Sequence, residues 1–89
     1  MKGETIEEAH RLYFRGDSES ALELYKTLLK KRPDARAAVN AALVAQEIGK
    51  HREGIQILRE AGRAYPNNPL LFSHLGWALF NEGFLEEAE

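Results

Sequence analysis

Three histidines, His10, His51 and His74, are the residues of this sequence best suited to do chemistry. An imidazole can carry a proton near neutral pH or hold a metal ion. A metal site on one helix needs ligands at i and i+4, and no pair of these histidines has that spacing. They are read as solvated or rim side chains, the ordinary place for histidine. The acidic residues Glu7, Glu8, Glu86, Glu87 and Glu89 look like first-turn acids favoured by a helix dipole, not an acid–base pair. Cysteine is absent, which removes a thiol nucleophile, a disulfide framework and a thiolate metal site. No Gly-rich phosphate loop follows a strand, and no serine sits in a nucleophile elbow. The chain is therefore expected to be no enzyme and to need no metal and no cofactor.

The basic group Lys26, Lys30, Lys31, Arg32 and Arg36 is the best candidate for phosphate contacts. Against it stands a formal charge of −2, from 12 basic and 14 acidic residues. Nucleic-acid binding normally shows as a basic stripe or a high pI. The group reads as a solvated helix end, and no nucleic acid is expected as partner. At 89 residues and 44% hydrophobic, the chain fits one small folded domain. Its start, Met1 to Thr5, lacks the apolar core of a signal peptide. No stretch approaches the roughly 18 apolar residues of a membrane span. A soluble, cytoplasmic protein without membrane contact is expected.

Whatever these residues do, repeated helices must position them. Gly16, Gly49 and Gly83 lie 33 and 34 residues apart, and Pro33 and Pro66 lie 33 apart. The same period relates Ala9, Ala42 and Gly76, and again Ala21, Gly54 and Ala88; Tyr25 matches Leu58. Each unit reads as two helices. In unit one, Thr5 and Glu8 form a capping-box pattern, Gly16-Asp17 breaks the first helix, and Asp17 caps the second. The second helix carries Ala21, Leu24, Tyr25, Leu28 and Leu29 at helical spacing and stops at Pro33. Unit two repeats the plan from Asp34 to Ile48, through Gly49-Lys50, then from His51 to Tyr65. Unit three opens at Asn68-Pro69, a cap followed by a first-turn proline, and is predicted to run to about Glu82. Gly83 then breaks it, and a sixth helix starts at Phe84 or Leu85. The small residues at the repeat positions let paired helices approach closely, while Leu12, Tyr25, Leu28 and Leu58 fill the flanks.

This pattern resembles the tetratricopeptide repeat (TPR) family, whose signature is W-x2-L-G-x2-Y, then A-x3-F, then P. Unit one offers Ala9-x2-Leu12, Ala21-x3-Tyr25 and Pro33; unit two offers Ala42-x2-Ala45, Gly54-x3-Leu58 and Pro66; unit three offers Phe72-x2-Leu75-Gly76-x2-Leu79 and Ala88. One residue fewer follows Pro33 than follows Pro66, so a tighter turn is predicted there. The resemblance implies an all-α fold, a right-handed superhelical solenoid of antiparallel helix pairs, with five helices plus the start of a sixth. Residues 1–89 form a single domain, with repeat one at about 2–34, repeat two at about 35–68 and a partial repeat three at 69–89.

In that family the first helices line a concave groove that takes a peptide or a partner helix. Carried over residue by residue, the groove positions fall on Ile6, His10, Tyr13 and Phe14, on Arg36, Val39, Asn40, Leu43, Gln46 and Glu47, and on Leu70, Ser73, His74, Trp77, Phe80 and Asn81. Of these, Ile6, His10, Tyr13, Val39, Asn40, Leu43, Leu70, His74, Trp77 and Phe80 are the expected partner contacts. Tyr13, Leu43, Trp77 and Phe80 are the expected anchors, because exposed apolar and aromatic clusters mark interaction sites. The alternative is that Tyr13, Val39, Leu43 and Phe80 pack between neighbouring helices. Family members that grip heat-shock chaperone tails need cations and asparagines where this chain has Ile6, His10, Asn40, Leu70 and His74. Only Asn40 matches, so a chaperone tail is not expected; an apolar or amphipathic segment suits the groove better. An RNA-binding helical repeat is the weakest alternative, since the repeat period and the charge both oppose it.

The chain stops about one turn into the predicted sixth helix. Phe72, Leu75, Gly76, Leu79 and Phe84 should then lack the helix that would cover them. Two outcomes are expected: the chain is the N-terminal piece of a longer repeat protein, or another molecule, such as a second copy, closes this face in a homo-oligomer.

Overall fold

The computed structural model describes the backbone of residues 5–88 and the side chains of residues 5–80. Among the described residues there are five helices and no strand: α1 Ile6–Phe14, α2 Ser18–Lys31, α3 Ala35–Glu47, α4 His51–Ala64 and α5 Pro69–Ala88. Local signals set their ends. The Thr5 hydroxyl accepts from the Glu8 amide at 3.1 Å and starts α1. Asp17 does the same for α2 through Ser20, and Asp34 for α3 through Ala37 at 2.8 Å. The Asn68 side chain receives the Leu70 and Leu71 amides, with Pro69 in the first turn of α5.

Gly16 and Gly49 stand at φ 91° and 82°, the left-handed region that closes a helix end without a Cβ clash. The Asp17 amide reaches back to the Leu12 carbonyl at 2.9 Å, and the Lys50 amide to Ala45 at 2.7 Å. Both turns return the chain against the helix before it. The turn after Pro33 spans Arg32–Asp34, one residue shorter than Tyr65–Asn68 after α4. A bond from the Tyr65 hydroxyl to the Pro33 carbonyl, 2.9 Å, ties these two connections together.

The predicted break at Gly83 does not occur. α5 continues through it to Ala88, so the start of a sixth helix is instead the last part of the fifth. A glycine permits a turn but does not force one. At Gly16 and Gly49 the following helix repays the turn by packing back. A turn at Gly83 would need a costly new helix nucleus, whereas continuing adds one backbone bond per residue. The side chains of Gly83, Phe84 and Ala88 lie outside the described ones.

Packing follows the repeat. α1 lies on α2, α2 on α3, α3 on α4 and α4 on α5, with a smaller contact of α3 to α5. Ala9, Ala21, Ala38, Ala41 and Ala45 are completely buried, and Leu22, Tyr25, Leu58 and Leu71 are the largest fully buried side chains. Gly54 shows why the contact positions are small. A Cβ there would stand 3.2 Å from the Ala42 carbonyl oxygen, so α3 and α4 cross at this point. Gly76, the counterpart of Ala42 in the third unit, has among the described residues no atom beyond its own stretch of helix backbone within 4 Å of the place a Cβ would take.

Candidate functional site

The residues carried over to the groove divide into three groups. Val39 is 7% exposed and belongs to the core, so it is not available on a surface. It sits beside Ala38 on the side of α3 that meets its neighbours, and a β-branched side chain there is packed rather than presented. Ile6 is half-buried against the core and lines a separate cleft of about 420 Å³ with Leu28, Leu29, Pro33 and Tyr65, apart from the one between α1 and α3. Tyr13 is half-buried against the core with its hydroxyl directed outward.

His10, Tyr13, Asn40 and Leu43 come together between α1 and α3, with Phe14 and Glu47, around a cleft of about 330 Å³. Residues about one repeat apart meet because successive first helices lie side by side. The Tyr13 hydroxyl donates to Glu47 Oε1 at 2.7 Å, and the Asn40 amide contacts His10 Nε2 at 3.1 Å. With that amide donating, the His10 proton sits on Nδ1. The His10 and Tyr25 rings lie 5.8 Å apart, and those of Tyr13 and Phe14 5.5 Å apart, edge to face. The hydrogen bond to Glu47 pushes the Tyr13 phenol up, with burial and the carboxylate charge adding to it. Burial raises the Tyr25 phenol. Phe14 and Glu47, groove positions by the family resemblance but not among the expected anchors, both line this cleft. Glu47 gains its importance only from Tyr13, which stands 34 residues earlier.

α5 supplies the rest. Leu71 and Ala78 are its buried stripe. Phe72 and Leu75 face α4, where they line a cleft of about 230 Å³ with Leu58, Arg59, Gly62 and Arg63. Helical spacing then puts Leu70, His74 and Trp77 on the other flank, toward α3, and Phe80 nearly opposite the buried stripe. Leu70, Trp77 and Phe80 are 46%, 50% and 70% exposed, and His74 is half-buried. On the α4 flank, Phe72 and Leu79 remain 52% and 39% exposed, while Leu75 is partly packed on the core.

On the α2–α4 side an ion-pair cluster borders a cleft of about 430 Å³ that Leu29, Pro33, Ile57 and Ala61 also line. Lys26 of α2 binds Glu53 of α4 at 2.7 Å and Glu23 at 3.3 Å, and Lys50 approaches Glu53 at 3.8 Å. The Lys26 amine is thus engaged by acids of its own chain. Among the described residues, no group of three or more side chains able to hold a metal converges. None of the described helices is long and apolar enough to cross a membrane.

Comparison with known families gives one assignment: residues 6–69 match the family model described as "Tetratricopeptide repeat". No curated protein and no solved structure matches the chain.

Proposed function

Since the chain belongs to the tetratricopeptide repeat family, whose repeats generally mediate protein–protein interaction, we propose that the face shared by α1, α3 and α5 binds a segment of another protein. His10, Tyr13, Asn40 and Leu43 form one part of that face and Leu70, His74, Trp77 and Phe80 the other. The exposure of Leu43 (37%), with that of Leu70, Trp77 and Phe80 on the sides of α5 away from its buried stripe, carries this reading. Water-facing apolar side chains of this size are what an interface would cover. The occupant best suited is an amphipathic or apolar segment laid across the first helices, with its anchors between Leu43 and Trp77. The chain acts by holding that segment and performs no reaction on it.

A photo-crosslinking amino acid tests the face. It is placed at Leu43 in one sample of the intact protein and at Gln56, on the outer side of α4, in another. The partner recovered should crosslink through position 43. Crosslinking through position 56 alone, with none at 43, would place the interaction on the opposite side.

The second flank of α5 favours another reading, self-association through Phe72, Leu75, Gly76 and Leu79, and through Phe84 beyond the described side chains. Its support is the uncovered cleft against α4 and the open space at Gly76. Light scattering over a concentration series decides it: the mass should double as concentration rises and return to that of one chain in Leu79→Asp. A mass that stays at one chain throughout removes this reading.

A further inference from the structure

The cleft between α1 and α3 combines the apolar walls of Phe14, Leu43 and Val44 with the His10–Asn40 pair and one carboxylate. Phe14, 82% exposed, and Leu43 stand at its mouth, and Tyr25 lies deeper. Glu47 is the one Asp, Glu, Lys or Arg that lines it. Tyr13 takes Oε1 of that carboxylate and holds it in place, while Oε2 has no partner among the described residues. Phe14 and Glu47 are the last residues of α1 and α3, so the cleft also lies at the negative ends of two helix dipoles. Arg15, the C-cap of α1, does not line it.

We infer that the cleft recognises a basic residue, arginine best, within an otherwise apolar stretch of the partner. The inference rests on the reading that the α1–α3–α5 face binds a partner segment. Charge complementarity fixes the sign: a carboxylate, two helix C-termini and the negative faces of aromatic rings all favour a cation. An arginine can donate to the open oxygen of Glu47, stack its planar guanidinium on Phe14 and lay its aliphatic stem along Leu43. The apolar walls require the neighbours of that arginine to be aliphatic or aromatic. An acidic segment would meet like charge, so the preference is opposite to that of a groove that grips carboxylates.

The test uses a library of short random peptides displayed on phage, selected on the intact protein and separately on Glu47→Lys. Wild type should enrich arginine or lysine beside apolar residues, and Glu47→Lys should enrich acidic residues instead. The best wild-type peptide should lose about tenfold in affinity when its basic residue becomes glutamine, the scale of one charge-assisted bond. The same peptide should weaken comparably on Glu47→Gln and less on Phe14→Leu, with unchanged thermal melts showing that both variants are folded. Selection that returns no peptides, or peptides without basic enrichment, overturns the inference. Peptides without a basic residue that still lose binding on Leu43→Asp leave the shared-face reading standing. Peptides that bind Leu43→Asp as well as wild type overturn both.

Discussion

α3 and α5 hold the same place in successive repeats, yet one is covered and the other is not. α3 meets α2, α4 and α5, and its buried residues are mostly alanines: Ala37, Ala38, Ala41, Ala42 and Ala45 are each at most 2% exposed. α5 meets α4 and, more lightly, α3. Only Leu71 and Ala78 are buried among its described side chains, and Leu70, Phe72, Trp77, Leu79 and Phe80 are all substantially exposed. A helix enclosed by neighbours must spend its surface on small residues so that backbones can approach. A helix apolar on every side is normally a buried one. α5 has that composition without the cover, which is why both interaction readings converge on it.

The largest test of this contrast deletes one large side chain from each region. Leu58→Ala should lower unfolding free energy by about 2–5 kcal/mol, because Leu58 is 1% exposed and the cavity cannot collapse fully. Leu79→Ala should cost less than about 1 kcal/mol, since much of that side chain already meets water. Urea unfolding followed by circular dichroism measures both. A loss at Leu79 as large as that at Leu58 would mean that α5 is covered in solution, and the contrast would break.

The two glycines at repeat contact positions sharpen it further. Gly54→Ala pushes a methyl to 3.2 Å from the Ala42 carbonyl oxygen, a backbone atom that cannot swing aside. The gain in helix propensity is then offset, and Gly54→Val should lose about 1–3 kcal/mol by overpacking. Gly76→Ala meets nothing within 4 Å and should gain about 0.5–1 kcal/mol from helix propensity alone. Opposite signs at these two small positions, Gly54 in the second-helix row with Ala21 and Gly76 in the first-helix row with Ala9 and Ala42, are the expected result in urea unfolding. Destabilisation by Gly76→Ala would reveal a close neighbour on that face.

The sequence made the hairpins legible because local chemistry writes them: a glycine at positive φ, an aspartate cap, a proline after the last turn. It misread Gly83 because the residue type is the same as at Gly16 and Gly49, while a glycine permits a turn without forcing one and α5 continues through it. Burial by neighbours was harder to read than helix ends. Val39 and Ile6 are groove positions by the family resemblance, yet rotation by part of a turn decides whether a side chain is shared between helices or offered to water. Leu75 has the same ambiguity between the core and the α4 cleft. Contacts between units were the least visible. Tyr13 with Glu47 and Lys26 with Glu53 each join helices of different units, and nothing local to any of the four residues signals its partner.

The smallest effect separates the same two regions by pH. Hydrogen bonding to Glu53 raises the Lys26 amine, against a smaller opposing effect of burial. The same bond lowers the Glu53 carboxyl, with burial again opposing and Lys50 adding to the lowering. A lowered carboxyl contributes stability that is complete above its unfolded pKa and lost as pH falls through the folded value. A raised amine contributes stability that is complete below its unfolded pKa and lost as pH rises through the folded value. The bridge between α2 and α4 therefore helps from mildly acidic to mildly alkaline pH and fades at both limits. Side chains that are 33% and 38% exposed keep it to about 0.2–1 kcal/mol. Lys26→Gln should flatten both limbs of the melting temperature against pH, and superimposable curves would show that the pair contributes nothing. From Pro69 to Phe80, α5 holds no Asp, Glu, Lys or Arg and only His74 to titrate. Phe80→Ala should accordingly leave the acid and alkaline limbs unchanged. A change there would tie this exposed end to charges on another surface.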